Sequence, residues 1–218
     1  MINPSSTSQD AALPAILARG LAQMALPLSA TVQEKLLAYV GLLVKWNRVY
    51  NLTAVRDSAE MVTRHLLDSL SVAPHLRGSR VLDVGSGAGL PGIPLALARP
   101  EWQFVLLDSN RKKTRFITQS CIELGLTNVS VESSRIENYR PEILFDSVIS
   151  RAFSELSMML TTSGRLCQPD GIMLAMKGEY PAAELAAVPP GFVVQGVEAL
   201  QVPGLDAQRH VVRVALQA

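Results

Sequence analysis

This 218-residue sequence has only two cysteines, and it lacks long hydrophobic runs and an excess of charge of one sign. The apolar run Leu36–Val44 covers nine residues, whereas a membrane-spanning helix needs about 20. The segment Met1–Asp10 is polar and has neither the basic start nor the apolar stretch of a secretion signal. We therefore expect neither membrane insertion nor secretion.

The two cysteines, Cys121 and Cys167, are too few for a disulfide framework or a zinc cluster. This favours a reducing cytoplasm and no metal site. The 20 Lys and Arg residues nearly balance the 19 Asp and Glu residues, which excludes a histone-like polycation but allows a local basic patch. With 48% hydrophobic residues, the chain is able to bury the core of one good-sized domain, with or without an extension.

The pattern of apolar residues changes near Gly78. Before it, spacings of three and four predict helices, with Ser29 or Thr31 and Asp57 as N-caps. After it, β-rich runs alternate with helix-like stretches, which predicts parallel strands and right-handed crossovers. These runs cover residues 80–84, 104–108, 129–131, 145–150 and 171–176. The last two runs, 192–202 and 210–216, predict an antiparallel hairpin at the sheet edge. We expect a helical N-terminal extension, residues 1–78, on an α/β domain, residues 79–218.

A glycine-rich loop follows the first predicted strand and is the most informative segment. Gly87, Gly89 and Gly92 fit the dinucleotide pattern G-x-G-x-x-G, whereas Asp83, Gly85, Gly87 and Gly89 fit D-x-G-x-G-x-G, which suits S-adenosylmethionine. An acid at the mouth of the loop would repel a pyrophosphate but attract an ammonium and a sulfonium. The charge therefore favours S-adenosylmethionine, and a nicotinamide dinucleotide remains the alternative.

Asp108 ends the second predicted strand, where a carboxylate accepts hydrogen bonds from ribose hydroxyls with either ligand. It is also placed to cap the helix that starts near Arg111. That helix opens with Arg111-Lys112-Lys113-Thr114-Arg115, four cations in five residues. Such a run is usually a solvated helix face, and contact with RNA phosphate is the second interpretation.

Several longer stretches make the chain resemble the glucose-inhibited division protein B family, the bacterial small-subunit ribosomal RNA guanine-N7 methyltransferases. They span residues 45–53, 64–69, 83–94 and 145–153, and Leu205-Asp206 with Arg209-His210 is similar to the closing hairpin of the family. The resemblance runs from about Ala38 to Val214. It implies a class I methyltransferase, a Rossmann-like α/β fold with a mostly parallel sheet.

Carried over position by position, the resemblance implies that S-adenosylmethionine is bound by Gly85, Leu90, Ile136, Glu137 and Arg151. Three further residues are expected in this cofactor site: Asp83 because of its charge, Asp108 because it is placed for ribose hydroxyls, and Gly87 because of the glycine spacing. Ile136 is expected to cover the adenine, and Glu137 or its neighbouring amide to read the purine edge.

The implied chemistry requires little from the protein. Guanine N7 has a free lone pair and loses no proton before attack, so no general base is expected and alignment is the main task. Arg151 is the expected positioning residue, on the cofactor carboxylate or on guanine O6, with an intramolecular ion pair as the alternative. Substrate contacts are expected from a further set of residues: Asn51, His65, Asp68, Phe153 and Lys177. For His65 and Asp68, a structural hydrogen bond is the competing interpretation.

The expected partner is 16S ribosomal RNA within the folded small ribosomal subunit, because a nearly neutral chain gains little affinity for naked RNA from counterion release. A monomer is expected. Two alternatives remain open at this point. One is a nicotinamide-dependent oxidoreductase, and the other is a non-enzymatic RNA-binding factor with a vestigial pocket.

Overall fold

The computed structural model describes residues 11–151, 153 and 155–217, and it contains a seven-stranded sheet. The interpretation of Met1–Asp10 as lacking a secretion signal lies outside the described residues. The strands are β1 (Arg80–Val84), β2 (Gln103–Leu107), β3 (Val129–Glu132), β4 (Phe145–Ser150), β5 (Cys167–Lys177), β6 (Phe192–Ala199) and β7 (His210–Leu216). Their order in the sheet is β3-β2-β1-β4-β5-β7-β6.

The first five strands run parallel, and β7 pairs antiparallel with both β5 and β6. This confirms the predicted α/β sheet and its edge hairpin. Two strand ends differ from the prediction by more than one residue. β5 begins at Cys167 rather than Gly171, because Cys167 pairs with Phe145 before an irregularity in the register. β6 ends at Ala199, before the turn that contains Pro203 and Gly204.

Helices precede the sheet and connect its strands. They are α1 (Leu13–Gln23), α2 (Ala30–Tyr50), α3 (Ser58–Met61, continued as a π-helix over Val62–Leu67 and as an α-helix over Asp68–Leu70), α4 (Gly92–Ala98), α5 (Arg111–Leu124), α6 (Leu156–Ser163) and α7 (Ala182–Ala186). Single 3-10 turns lie at Ala73–His75, Ile136–Asn138 and Gly164–Leu166. The hydroxyl of Ser29 accepts from the Val32 amide and Asp57 accepts from the Glu60 amide, as the capping predictions require.

Alternate strand residues pack into two hydrophobic clusters, one on each face of the sheet. Val81 faces a cluster that also contains Leu17 and Leu36 of the N-terminal helices, whereas Leu82 faces the cluster that contains Leu156 of α6. The helices before β1 therefore share a core with the sheet, and the boundary near residue 78 stays a prediction. Cys121 and Cys167 are buried and free, as expected of small core residues. Among the described helices, none is long and apolar enough to cross a bilayer.

Candidate active site

The loop after β1 has a left-handed backbone at three glycines, with φ of +68° at Gly85, +60° at Gly87 and +85° at Gly89. The amides of Gly85 and Ser86 both donate to the Leu107 carbonyl of β2, at 2.8 and 3.1 Å. A Cβ at Gly89 would lie 2.6 Å from the Ile93 side chain, but a Cβ at Gly85 would meet no atom within 4 Å. Gly89 therefore permits close packing, and Gly85 faces open space.

That open space is a cavity of about 400 Å³ at the carboxyl ends of β1 and β2. Its lining residues are Val84, Gly85, Leu107, Asp108, Ser109, Lys113, Ser134, Arg135, Ile136, Glu137 and Phe153. The structure thus brings together four predicted cofactor residues, Gly85, Asp108, Ile136 and Glu137. Phe153, which is among the expected substrate contacts, lines this cavity as well.

Asp83 lies beneath the loop, not at its mouth, since its side chain is completely buried. Its Oδ2 accepts a hydrogen bond from the Gly92 amide at 2.8 Å, and its buried Oδ1 has no partner within the described part of the chain. Burial raises the pKa of Asp83 to about 7, against the lowering effect of the Gly92 amide and Arg151. A cation that reached Oδ1 would favour the ionised form.

Asp108 fixes the loop from the other side. Its Oδ2 accepts from the Gly87 amide and its Oδ1 from the Asn110 amide, both at 2.8 Å. The prediction that Asp108 caps α5 is wrong, because Asn110 accepts from the Lys112 amide and is the N-cap. Gly87 and the buried Leu90 are not among the lining residues of the cavity, so they shape the loop rather than face the space.

A second cavity, of about 360 Å³, lies beside the first. Its lining residues are Val55, Arg64, His65, Asp68, Arg151, Met176, Lys177, Gly178 and Arg209. Four predicted residues meet here: His65, Asp68, Arg151 and Lys177. Asn51 does not line this cavity; it ends α2 in a left-handed conformation and its Oδ1 accepts from Arg56 at 2.9 Å.

Asp68 joins two arginines at this cavity. Its Oδ2 lies 3.2 Å from NH1 of Arg151, and its Oδ1 lies 2.8 Å from Nε of Arg209. The intramolecular ion pair named as the alternative for Arg151 is therefore present, and it lies at the wall of this cavity. The sequence reasoning missed Arg209 as a site residue; its resemblance to the closing hairpin of the family was the only signal.

The remaining polar residues of the second cavity have partners of their own. His65 Nε2 lies 2.9 Å from the Thr53 hydroxyl, and burial together with Arg151 lowers the pKa of His65 to about 4. Its imidazole is therefore neutral at pH 7. The side chain of Lys177, an expected substrate contact, is 11% exposed, and its Nζ lies 2.7 Å from Oε2 of Glu184.

The two cavities flank the carboxyl end of β4, with Arg151 in one and Phe153 in the other. In open α/β sheets this edge is where ligands bind. The arrangement provides two adjoining compartments, one formed on the glycine loop and one rich in cations. It suits a transfer between a bound donor and a bound acceptor.

The comparisons with known proteins agree with this arrangement. The GidB family model, described as rRNA small subunit methyltransferase G, matches residues 32–212. The chain belongs to this family. A ribosomal RNA small subunit methyltransferase G of Chromobacterium violaceum is 55% identical over 202 residues, covering 92% of this chain and 97% of that protein. The corresponding protein of Nitrosococcus oceani is 53% identical over 199 residues, covering 91% and 93%.

The fold of this rRNA small subunit methyltransferase G family member is also found in more distant proteins. A solved structure of a SAM dependent methyltransferase from Aquifex aeolicus aligns with a TM-score of 0.56 at 19% identity, covering 69% of this chain and 91% of that one. The predicted class I methyltransferase fold and the predicted enzyme class are confirmed. The oxidoreductase alternative is not supported.

Asp83 and His65 give this methyltransferase two opposite pH dependences of stability. The pKa of Asp83 is 3.8 in a model compound and about 7 here, so the folded state binds its proton more tightly and the free energy of unfolding falls as pH rises from 3.8 to about 7. The pKa of His65 is lowered from 6.5 to about 4, so the unfolded state binds that proton more tightly and the free energy of unfolding rises over this range. Each effect is about 1.4 kcal/mol per pH unit, and the two oppose each other between about pH 4 and 6.5.

We predict that removing either group exposes the effect of the other. For Asp83→Asn, the free energy of unfolding from urea titrations should increase between about pH 4.5 and 6.5, by about 1 kcal/mol per pH unit relative to the unaltered protein. For His65→Gln it should decrease relative to the unaltered protein by a similar amount. Three parallel pH profiles would contradict both assignments.

Proposed function

We propose that this protein transfers the methyl group of S-adenosylmethionine to N7 of a guanine in 16S ribosomal RNA of the small ribosomal subunit. The observation that carries the proposal is the pair of adjoining compartments at the end of β4. The glycine-loop cavity suits the donor, and the cationic cavity suits a nucleotide of an RNA chain. The family match supports ribosomal RNA as the substrate class.

The residues around the first cavity fit S-adenosylmethionine. The unpartnered Oδ1 of Asp83 and the open face of Gly85 suit a positively charged ligand that approaches the loop. Asp108 is placed for ribose hydroxyls, and Ile136 supplies an apolar surface for the adenine. When bound, the cofactor supplies an electrophilic methyl group on a sulfonium.

The residues around the second cavity serve alignment rather than proton transfer. Guanine N7 attacks with its own lone pair, so the protein needs to hold the base in line and keep water out. Positive charge leaves the cofactor sulfur and arrives on the guanine as the methyl group moves. The neutral imidazole of His65 places no further charge beside the base, and Lys177 is already paired with Glu184.

Three cations at the start of α5, Arg111, Lys112 and Arg115, are exposed, while Lys113 reaches the wall of the cofactor cavity. They form a local basic surface next to the site on a chain of net charge +1. Such a surface favours RNA phosphates without strong binding to any RNA. We propose that the substrate is the folded subunit, in the cytoplasm, and that the enzyme acts as a monomer.

Methyl transfer from radiolabelled S-adenosylmethionine to small subunits of a strain that lacks this enzyme tests the proposal. The label should map to N7 of one guanine, and free 16S ribosomal RNA should be methylated less well than the intact subunit. Label at an amino group or at C5 of a pyrimidine would contradict the N7 assignment. Cofactor binding without any turnover would favour a non-enzymatic RNA-binding factor.

A further inference from the structure

One helix, α2, is hydrogen-bonded to the walls of both cavities. Two of its residues make these bonds, Tyr39 and Asn47, which lie eight residues and about 12 Å apart along the helix. They are 0% and 2% exposed, and neither is a lining residue of the two cavities. Both act on the backbone of segments that form the walls.

Tyr39 binds the glycine loop. Its hydroxyl donates to the carbonyl of Ala88, between Gly87 and Gly89. Ala88 is buried, and among the described residues no backbone amide donates to this carbonyl. Burial raises the pKa of Tyr39 above its ordinary value, so the hydroxyl keeps its proton and remains a donor. The bond therefore satisfies a carbonyl that would otherwise be buried without a partner.

The rest of the glycine loop is bound by β2. The Leu107 carbonyl and the Asp108 carboxylate accept from amides in the first half of the loop. Glycines with a left-handed backbone have many other conformations available when nothing restrains them. The hydroxyl of Tyr39 thus fixes the second half of the loop to the helices that precede the sheet.

Asn47 binds the segment that follows α2. Its Oδ1 accepts from the Thr53 amide at 2.9 Å, and its Nδ2 donates to the Val55 carbonyl at 3.2 Å. Val55 lines the second cavity, and the Thr53 hydroxyl lies 2.9 Å from Nε2 of His65, which also lines it. Asn47 therefore positions one wall of the second cavity.

We propose that Tyr39 and Asn47 are positioning residues through which α2 keeps the two compartments at a fixed spacing, Tyr39 acting on cofactor binding and Asn47 on substrate binding. The part that concerns the substrate rests on the proposed function. Methyl transfer needs donor and acceptor in line, and one helix relates a wall of each compartment to the other. A segment that is fixed before its ligand arrives costs less ordering on binding.

Tyr39→Phe removes the hydroxyl and keeps the ring, whose centroid lies 6.1 Å from that of Phe116. We expect the Kd for S-adenosylmethionine, from calorimetric titration, to rise about tenfold, because the Ala88 carbonyl loses its donor and the loop is released. KM for small subunits at saturating cofactor should stay within about threefold. A Kd within twofold of the unaltered protein, about the error of such comparisons, overturns the proposal.

Asn47→Leu removes both hydrogen bonds with little change in side-chain volume. We expect the opposite pattern, with KM for small subunits about tenfold higher and the Kd for S-adenosylmethionine within about twofold. Rates are expressed per cofactor-binding protein, so that unfolded molecules do not count. Asn47→Asp is a milder second variant, since it keeps the acceptor for the Thr53 amide, and it should raise KM less. An unchanged KM in both variants contradicts the role of Asn47.

Ser147→Ala is the matched control for the loss of a buried side-chain hydrogen bond. Ser147 is completely buried, and its hydroxyl donates to the Arg77 carbonyl and accepts from the Arg77 amide, both at 2.8 Å. Arg77 precedes β1, whereas the cavities lie at the carboxyl ends of the strands. The variant should be less stable to urea with unchanged Kd and KM. Equal losses of affinity in Ser147→Ala would reflect general destabilisation and would overturn the proposal.

Failure of this inference and failure of the proposed function give different results. If Tyr39→Phe and the unaltered protein bind the cofactor equally and both methylate subunits, the inference alone is wrong. If Tyr39→Phe weakens cofactor binding but the unaltered protein does not methylate subunits, the proposed function is wrong. Sedimentation of subunits with S-adenosylhomocysteine present then replaces KM, and equal binding by Asn47→Leu and the unaltered protein contradicts the substrate part.

Discussion

Gly85→Val is expected to weaken S-adenosylmethionine binding by at least about 100-fold, or ~2.7 kcal/mol, in a protein that still folds. The valine methyl groups would extend from a position where a Cβ meets no protein atom within 4 Å, into the cavity that we assign to the cofactor. The left-handed backbone at φ +68° would also cost about 1–2 kcal/mol of folding stability. Calorimetric titration with cofactor and urea denaturation measure the two effects separately.

Gly191→Val is the control that introduces the same kind of backbone strain without placing a side chain in the cofactor cavity. Gly191 precedes β6, the outermost strand, has φ +88°, and also offers open space to a Cβ. It should therefore lose a similar amount of stability and no cofactor affinity. If Gly85→Val retained affinity within about threefold of the unaltered protein, the cofactor would have to lie elsewhere.

Arg151→Ala is expected to lower methyl transfer to small subunits by at least about 100-fold, a barrier increase of ~2.7 kcal/mol. Arg151 contacts Asp68, and its charge is felt at Asp83 beneath the glycine loop and at His65 in the second cavity. The variant thus loses the expected positioning residue and changes the electrostatics of both compartments. Folding stability should fall by only about 1.5–3 kcal/mol, the value of one hydrogen bond to a charged group, since Arg209 still neutralises Asp68.

A control variant and one further measurement accompany this prediction. The control, Arg77→Ala, removes the same charge just before the start of β1, where Arg77 contacts Gln195, and it should leave turnover unchanged. NMR titration of His65 should show a pKa higher than that of the unaltered protein, since Arg151 contributes to its lowering. Unchanged methyl transfer in Arg151→Ala would remove this residue from the site.

Local patterns predicted the glycine-loop compartment well. A strand, a glycine loop and an acid at the end of the next strand are close in sequence, and parallel pairing brings Gly85 and Asp108 to the same cavity. Ile136 also lines this cavity, but it was implied by the family resemblance rather than by a local pattern. The sequence did not show which of two neighbouring polar side chains caps α5. Asn110 is better placed than Asp108 to cap α5, which leaves Asp108 free to hold the Gly87 amide.

The second compartment could be predicted only in part. Its residues come from α3, the end of β4, the end of β5 and the start of β7, so no local spacing relates them. His65 lies in the π-helical part of α3 and Asp68 directly follows it, a feature that apolar periodicity does not reveal. Arg209 reaches the cavity because β7 inserts between β5 and β6, and only the finished sheet shows this order.

The cluster of Asp68, Arg151 and Arg209 has a consequence for biosynthesis. Its three members are translated far apart, and Arg209 emerges 141 residues after Asp68. The residues of the glycine loop are synthesised early, but the second cavity is complete only when β7 has entered the sheet beside β5. The nascent chain therefore cannot contain this cavity until its synthesis is nearly finished.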